Sequence, residues 1–503
     1  MNTERIPIAA KGMRHKEGGW PAHIDPTEPA DQAKYAKQMY RDTTLGFSQA
    51  TKEMVQGVTK CIRQNNEIDL FEEYFAGESA EHLSENISTK TLMIFKDPNN
   101  VKRAVTSIAW HPDTTEMRVG VTYAMLRFQQ MPKDMPKESY IWNLNNPNFP
   151  EKTLLAPSPL CSMAFNHKHN DIIVGGSYNG SLSFFDLRIG NSAGVIKPQK
   201  TTILEKSHHD PVYDVYWLTL GKTGSECVSS STDGRLHWWD MTFIKDGTPA
   251  VPTETFMMEE KIMVDGEPKT KLLGGTSLEY SADAGPTKYL IGTEQGYILQ
   301  ANRRPNKPVE IMSRYGIDSG KHHGPVYSLW RNPGHSKYFL SVGDWSAKIW
   351  SDELVQPIMQ TRYHSAYLTD GYWSPTRCGL FYLTRIDGFL DVWDFYYRQN
   401  EVAYSQKISD SPLTSIQVNQ NMAAIGDAEG TVSIMQLCKP LYETTPREKE
   451  VMQTIFEREA RREKNLWLTN KLEKEAAEKA KAPTGKPKED PAKIAEEKEQ
   501  AMK

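Results

Sequence analysis

The chain has 503 residues, enough for two or three domains or for one large repeat domain with tails. Its formal net charge is −4, which excludes a global pull toward nucleic acid or an anionic membrane, and no apolar run is long enough to span a bilayer. The five cysteines are scattered, odd in number and never spaced Cys-x-x-Cys, and no signal-peptide core follows Met1, so a reducing compartment with buried free thiols is expected.

Residues 1–25 are polar around Gly18-Gly19-Trp20-Pro21, which reads as an extended segment with Trp20 as a docking anchor. Asp25-Pro26-Thr27-Glu28 has the order of a helix start: Asp as cap, Pro in the first position, Glu in the third. The helix it opens, to Arg41, is only weakly amphipathic. A stronger one is predicted from Thr44 to Asn65, where Phe47, Met54, Val58 and Ile62 share an apolar stripe. That stripe fits packing within the chain or presentation to another protein, and the residues alone leave both open. A dense aromatic run, Ile68 to Phe75, follows.

The pattern turns to strands at Thr91. Ser231 to Asp240 reads Ser-Thr-Asp-Gly-Arg-Leu-His-Trp-Trp-Asp, a tight Asp-Gly turn feeding an alternating strand that ends Trp-Asp. Asp344–Trp350 and Asp387–Trp393 repeat the same Asp-to-Trp separation, and Asn179–Phe185 is a softened copy. Gln295-Gly296 and Glu429-Gly430 keep only the glycine. Recurrence at about 40–60 residues marks a repeat architecture, and the Trp-Asp ending is the WD40 signature.

Seven repeats are counted, at about 104–144, 159–188, 208–241, 274–303, 322–352, 364–395 and 411–438. The expected fold is an all-β, seven-bladed WD40 β-propeller with N-terminal and C-terminal α-helical extensions. Thr91–Phe95 should complete the last blade and close the ring, removing two open sheet edges. The connection 242–272 is charged and lacks repeat features. Thr445-Pro446-Arg447-Glu448 is a capping box opening a charged helix to about Lys481, with a broken apolar seam that fits a solvated helix or a docking arm. The Lys/Glu/Pro-rich end is expected to be disordered. The organisation is then an arm over 1–90, the propeller over 91–440, a charged helix over 441–482 and a tail over 483–503.

Motifs of chemistry are few. Gly221-Lys222-Thr223-Gly224 lacks the earlier glycine of a phosphate loop, since Tyr216 stands there. His208-His209 and His322-His323 open repeats, and no cysteine or carboxylate lies at metal-ligand spacing from them. In WD40 repeats such a histidine bonds within its own blade. The sets implied here are Ser231, Asp233 and Trp239 in the third blade; Ser341, Asp344 and Trp350 in the fifth; and His364, Thr384, Asp387 and Trp393 in the sixth. No catalytic, cofactor-binding or metal-binding residue is assigned, and an enzyme is not expected.

Several stretches together resemble the axonemal dynein intermediate chains, and most closely those of the outer arm. They include Glu17 to Pro21, Ile62 to Asp69, Ser207 to Tyr213, Gly292 to Gly296, Val342 to Trp345, Tyr363 to Asp370 and Phe456 to Lys464. The run Ala366-Tyr367-Leu368-Thr369-Asp370 is not a general WD40 feature. The resemblance implies a non-catalytic scaffold needed for arm assembly and ciliary motility. Its implied partners are a dynein heavy-chain tail, a second intermediate chain, light chains, and the doublet microtubule through the assembled complex, with no nucleic acid and no membrane. It implies residence in the axoneme of a cilium or flagellum after assembly in the cytoplasm. Seventeen residues precede Gly18, fewer than family members usually carry, which leaves the helix at 44–65 as the candidate seat for a roadblock-type light chain. The alternatives are an inner-arm or cytoplasmic dynein intermediate chain, or a generic WD40 adaptor such as a ubiquitin-ligase receptor.

Overall fold

The computed structural model describes residues 24–25, 27–41, 47–67, 87–126, 132, 134–191, 194–219, 224–242, 250–264, 267–304, 307–317 and 320–481. The chain divides into two compact units, Met1–Glu72 and Glu73–Lys503. Gly18 to Pro21, the aromatic run at 68–75, Gly221 to Thr223 and the tail from 483 lie outside the described residues.

The first unit holds helices α1 (Pro29–Arg41) and α2 (Phe47–Glu67). Asp25 does not cap α1 as expected. Its Oδ1 accepts from the Thr27 amide (3.0 Å) and hydroxyl (2.7 Å), a local turn that ends before the helix begins with Pro29 in its first position.

The second unit is a ring of seven blades, antiparallel except where Val195–Ile196 adds a short parallel strand to Lys152–Leu155 at the edge of the first. Their innermost strands are Ala104–Trp110, Leu160–Phe165, Val212–Trp217, Gly275–Glu279, Val326–Arg331, Leu368–Trp373 and Leu413–Asn419. Neighbouring inner strands pack side by side, and the seventh meets the first. Strand Thr89–Lys96 pairs with Thr431–Leu437, Phe95 opposite Val432, so the N-terminal strand finishes the last blade. A closed ring leaves no inner edge to pair with another chain. The connection 242–272 is more regular than its composition suggests. Glu254–Met257 is the outer strand of the third blade, and Glu259–Val264 pairs with Glu267–Leu272 as a separate hairpin.

One device recurs at all seven blade junctions. Each inner strand carries a register shift near its start, at Val105/Ser107, Leu160/Ser162, Val212/Asp214, Gly275/Ser277, Val326/Ser328, Leu368/Asp370 and Leu413/Ser415. A bulge re-aims side chains out of the ladder. Here the re-aimed groups reach the next blade's backbone. Ser162 Oγ donates to Val212 O (3.0 Å), Ser277 Oγ to Val326 O (2.9 Å), Ser328 Oγ to Gly371 O (2.6 Å) and Thr414 Oγ1 to Val105 O (2.6 Å). Thr106 Oγ1 makes a longer contact with Leu160 O, 3.4 Å. Two aspartates do the same work in reverse: Asp214 accepts from Leu278 N and Asp370 from Ile416 N, both at 2.9 Å.

The C-terminal elements are a short turn of helix, α3 (Lys439–Tyr442), and the long α4 (Glu448–Lys481). Among described residues no helix is long and apolar enough to cross a membrane. The start of α4 is docked rather than solvated. Met452, Ile455 and Phe456 are fully buried against Tyr338, Trp373 and Phe381 of blades five and six. Glu448 accepts from the Thr445 hydroxyl (2.8 Å), from Arg377 Nε (3.0 Å) and from the Gly379 amide (3.1 Å). Arg377 also donates to Asp394 (2.7 Å) and to Pro440 O (2.8 Å). The expected capping box is displaced: Arg447 has positive φ (67°), Pro446 lies outside the helix, and Glu448 is the first residue of α4 and its ionic anchor.

Glu448→Ala should lower stability by about 3–5 kcal/mol, because it strips a partner from a buried guanidinium; exposed Glu457→Ala on the same helix should leave the denaturant midpoint unchanged. Equal effects in urea titrations would overturn the anchor. A second prediction concerns the junction aspartates. Burial pushes Asp214 and Asp370 up to about 7, against the amide hydrogen bonds that favour their charged forms. Between the ordinary carboxylate range and about 7 the folded state keeps protons that the unfolded chain releases, so stability falls as pH rises through that window. The double variant Asp214→Asn/Asp370→Asn should show a shallower loss of melting temperature from pH 5 to pH 8 than the unaltered chain; parallel curves would refute the shift.

Candidate functional site

The hairpin after the second strand of a blade places a residue that needs positive φ directly under the next incoming loop. Gly180 (φ 83°), Gly296 (φ 88°) and Gly388 (φ 86°) fill this place, and a Cβ on any of them would meet a backbone oxygen of that loop at 2.0–2.1 Å. The Gly180 and Gly296 carbonyls accept from His208 N (3.2 Å) and His322 N (3.1 Å). The turn glycine thus delivers the histidine to its blade.

In the third blade His208 Nδ1 lies 3.2 Å from both Asp233 oxygens, and Nε2 lies 2.8 Å from Ser229 Oγ. Ser229 also accepts from Trp239 Nε1 at 2.9 Å. The serine in this set is Ser229, not Ser231. Both point to the same face, but Ser229 stands opposite His237, within reach of Trp239, whereas Ser231 Oγ donates to the carbonyls of Pro211 (2.9 Å) and Asp210 (3.1 Å). In the fifth blade the structure brings together His322, Ser341, Trp350 and Asp344. His322 Nε2 is 2.7 Å from Ser341 Oγ, which accepts from Trp350 Nε1 at 2.8 Å, and Asp344 Oδ2 is 3.4 Å from His322 Nδ1.

The sixth blade departs twice. His364 Nδ1 pairs with Asp391 at 2.8 Å, not with Asp387, which lies at the exposed turn and pairs with Arg385. Asp391 occupies the strand position held by His237 and Lys348 in the third and fifth blades. Thr384 is one residue past the bridging position and bonds Thr369 instead (2.9 Å). Leu383 stands where Ser229 and Ser341 stand, so His364 Nε2 and Trp393 Nε1 are left without partners.

Ser229, His208 and Asp233 form the hydrogen-bond order of a hydrolase triad. Ser229 and His208 are 0% and 1% exposed, and the hydroxyl is already held by Trp239, so no substrate reaches it. His208, Asp233 and His237 also bring ligand atoms within 4.8 Å of one another. His208 is committed to Asp233 and Ser229, and His237 Nδ1 to Thr255 at 2.9 Å, so a metal would have to break the blade's own network. Burial, reinforced by the nearby charge of His208, pulls His237 down to about 3, which keeps that imidazole neutral.

Away from these networks, Met54, Val58 and Ile62 stand one helical turn apart on α2 and are 64%, 52% and 53% exposed. The side chain of Phe47 lies outside the described residues. The central channel is a cavity of about 500 Å³ lined by Tyr213, Asp214, Trp330, Asp370 and Tyr372. Missed by the sequence reading were the seven junction groups, although an aliphatic residue two before Ser or Asp (Val105-Thr106-Ser107, Leu160-Cys161-Ser162, Val212-Tyr213-Asp214) recurs in six of the seven repeats.

Residues 251–437 match the family described as dynein axonemal intermediate chain 3 WD40 domain. The chain is 41% identical over 489 residues to the 70 kDa intermediate chain of the flagellar outer arm dynein of Chlamydomonas reinhardtii, covering 96% of this chain and 82% of that protein. It is 41% identical to dynein axonemal intermediate chain 2 of Xenopus laevis, covering 96% and 80%. Identity to human dynein axonemal intermediate chain 3 is 22%, covering 72% and 54%.

Ser229→Ala should cost about 1–3 kcal/mol, since it orphans two buried groups, and Ser231→Ala distinctly less. In the sixth blade Asp391→Ala should lower the melting temperature while Asp387→Ala does not. Thermal melts of the four variants check both, and the reverse ranking in either blade would reject the network drawn here.

Proposed function

Because the chain belongs to the axonemal dynein intermediate chain family, we propose that it is a non-catalytic scaffold of an outer dynein arm in the axoneme of cilia or flagella. The observation that carries this reading is near-full-length identity to a subunit named for the flagellar outer arm, at 41%, against 22% to intermediate chain 3. In this reading the propeller holds the helical tail of a heavy chain, beside a second intermediate chain, and the heavy chain supplies the motor chemistry. Two features support a scaffold. The polar networks among described residues are buried inside blades, where they stabilise rather than react. The helix α2 presents an exposed apolar stripe, Met54, Val58 and Ile62, suited to a light chain of the roadblock type by helix-in-groove docking.

Affinity purification of the tagged chain from ciliary extract tests the reading. Heavy chain, a second intermediate chain and light chains should co-purify, and cells lacking the chain should lose outer arms in axoneme cross-sections. Recovery without any heavy chain, or ATP hydrolysis by the purified chain alone, would refute it. Met54→Glu/Val58→Glu should remove the light chain and spare the heavy chain; retention of every light chain would reject α2 as the seat.

A further inference from the structure

The bulges that join the blades also line the central channel. The second residue of each bulge is a serine on five blades and an aspartate on two, Asp214 on the third and Asp370 on the sixth. Residues two apart on a strand share a face, so the position two residues on forms the next layer of the channel wall. Three blades place an aromatic ring there: Tyr216, Trp330 and Tyr372. Trp330 and Tyr372 lie 4.3 Å apart between centroids, and the Tyr216 phenol is close enough to that of Tyr372 to feel its charge. Tyr213 and Tyr327 line the cavity on the other side of the carboxylates. The cavity, of about 500 Å³, has the size of a small-molecule site, about 300–1,000 Å³.

Charge in this cavity is uncompensated. Among the described residues that line it there is no lysine and no arginine. Asp214 accepts from Leu278 N (2.9 Å), and Asp370 accepts from Gly371 N (2.7 Å) and Ile416 N (2.9 Å). Those amides orient the carboxylates and bring no net charge. Burial without a cation holds both acids up to about 7. The third and sixth of seven blades stand nearly opposite, and Asp214 feels the charge of Asp370 across the channel. What is missing is positive charge at two points, with aromatic faces beside it. Ring faces attract an organic ammonium through their quadrupole. A hard metal ion fits less well, since it needs a shell of about six or more oxygens and both Asp370 oxygens already accept amides.

We infer that the channel binds a small alkyl diammonium, with one ammonium directed to Asp214, the other to Asp370, and the methylenes against Tyr216, Trp330 and Tyr372. The site is separate from any surface the scaffold uses to hold other subunits.

The test is calorimetric titration of the full chain with 1,4-diaminobutane, with 1-aminobutane and magnesium chloride as comparisons. The diamine should bind saturably, and 1-aminobutane at least about tenfold more weakly, having lost one charged contact. Asp214→Asn and Asp370→Asn should each weaken the diamine by a similar factor. Tyr372→Leu should weaken it about threefold or more, whereas Tyr372→Phe, which keeps the ring face, should not. The exposed-acid control Glu310→Gln/Asp410→Asn should bind as the unaltered chain does, and thermal melts should show every variant folded. No binding of the diamine, or equal binding by the Asp214 and Asp370 variants, would overturn the site. Equal affinity for 1-aminobutane would refute the pairing of two charges. Magnesium binding that displaces the diamine and is lost in the same aspartate variants would make the channel a metal site and refute the ammonium. Equal loss in Tyr372→Phe and Tyr372→Leu would refute the role of the ring faces.

Discussion

Everything in the propeller depends on seven sheets being held at a fixed angle to one another around a channel. Hydrophobic packing between blades is non-directional and does not by itself set that angle. The bulge at the start of each inner strand does, by turning a Thr, Ser or Asp side chain onto the backbone of the next blade. Because the donor or acceptor is within two residues of the bulge every time, the same offset is applied at each step and the ring closes on the seventh. Closure also fixes where the extensions leave. Thr89 pairs with Leu437, and Ser88 N lies 3.4 Å from Cys438 Sγ, so the chain enters and exits the ring side by side.

The seven-fold repeat was legible because its signals are local. An Asp-Gly or Asn-Gly turn, an alternating strand and a tryptophan at fixed distance need no knowledge of the partner strand. What escaped was set by register. Ser229 and Ser231 differ by two positions, share a face and are chemically identical; only pairing across the sheet decides which meets Trp239. The outer strand Glu254–Met257 was hidden by its shortness and mixed composition, Glu-Thr-Phe-Met, of which only Glu254 and Phe256 are half-buried. The docked start of α4 was hidden for a different reason. Met452, Ile455 and Phe456 make a short apolar patch on a helix that is otherwise charged, and averaging over its length erases the patch.

The blades also show what substitution the fold tolerates. The sixth keeps its histidine–aspartate pair although the aspartate has moved from the turn to the strand, so the pairing matters more than the position. It gives up the bridging hydroxyl at Leu383, and the apolar packing of that side chain stands in its place. The fifth gives up the turn glycine without losing the hydrogen bond that the glycine carbonyl makes. The exchange in the fifth blade preserves the interior, whereas the one in the sixth leaves His364 Nε2 and Trp393 Nε1 without partners. At Trp345 the indole itself stays 44% exposed and meets Tyr367 edge-on.

The aspartates of the ring show how far a residue's chemistry is decided by what it meets. Burial by itself would push Asp233, Asp344 and Asp391 up, but the hydrogen bonds and charge of a histidine outweigh it, and all three sit below the usual carboxylate range. Asp214 and Asp370 have backbone amides and no cation, and each lines the channel, where burial wins and pushes them up to about 7. The two sets therefore pull stability in opposite directions with pH. The histidine-paired set supports the fold above the carboxylate range and is lost on acidification; the junction set weakens it as pH rises toward 7. A ring built from one kind of acid would have a steep pH dependence on one side. Dividing the acids between blade interiors and blade junctions gives slopes of opposite sign below and above the ordinary carboxylate range, with the same side chain about twenty residues further along the blade, as in Asp214 and Asp233 or Asp370 and Asp391.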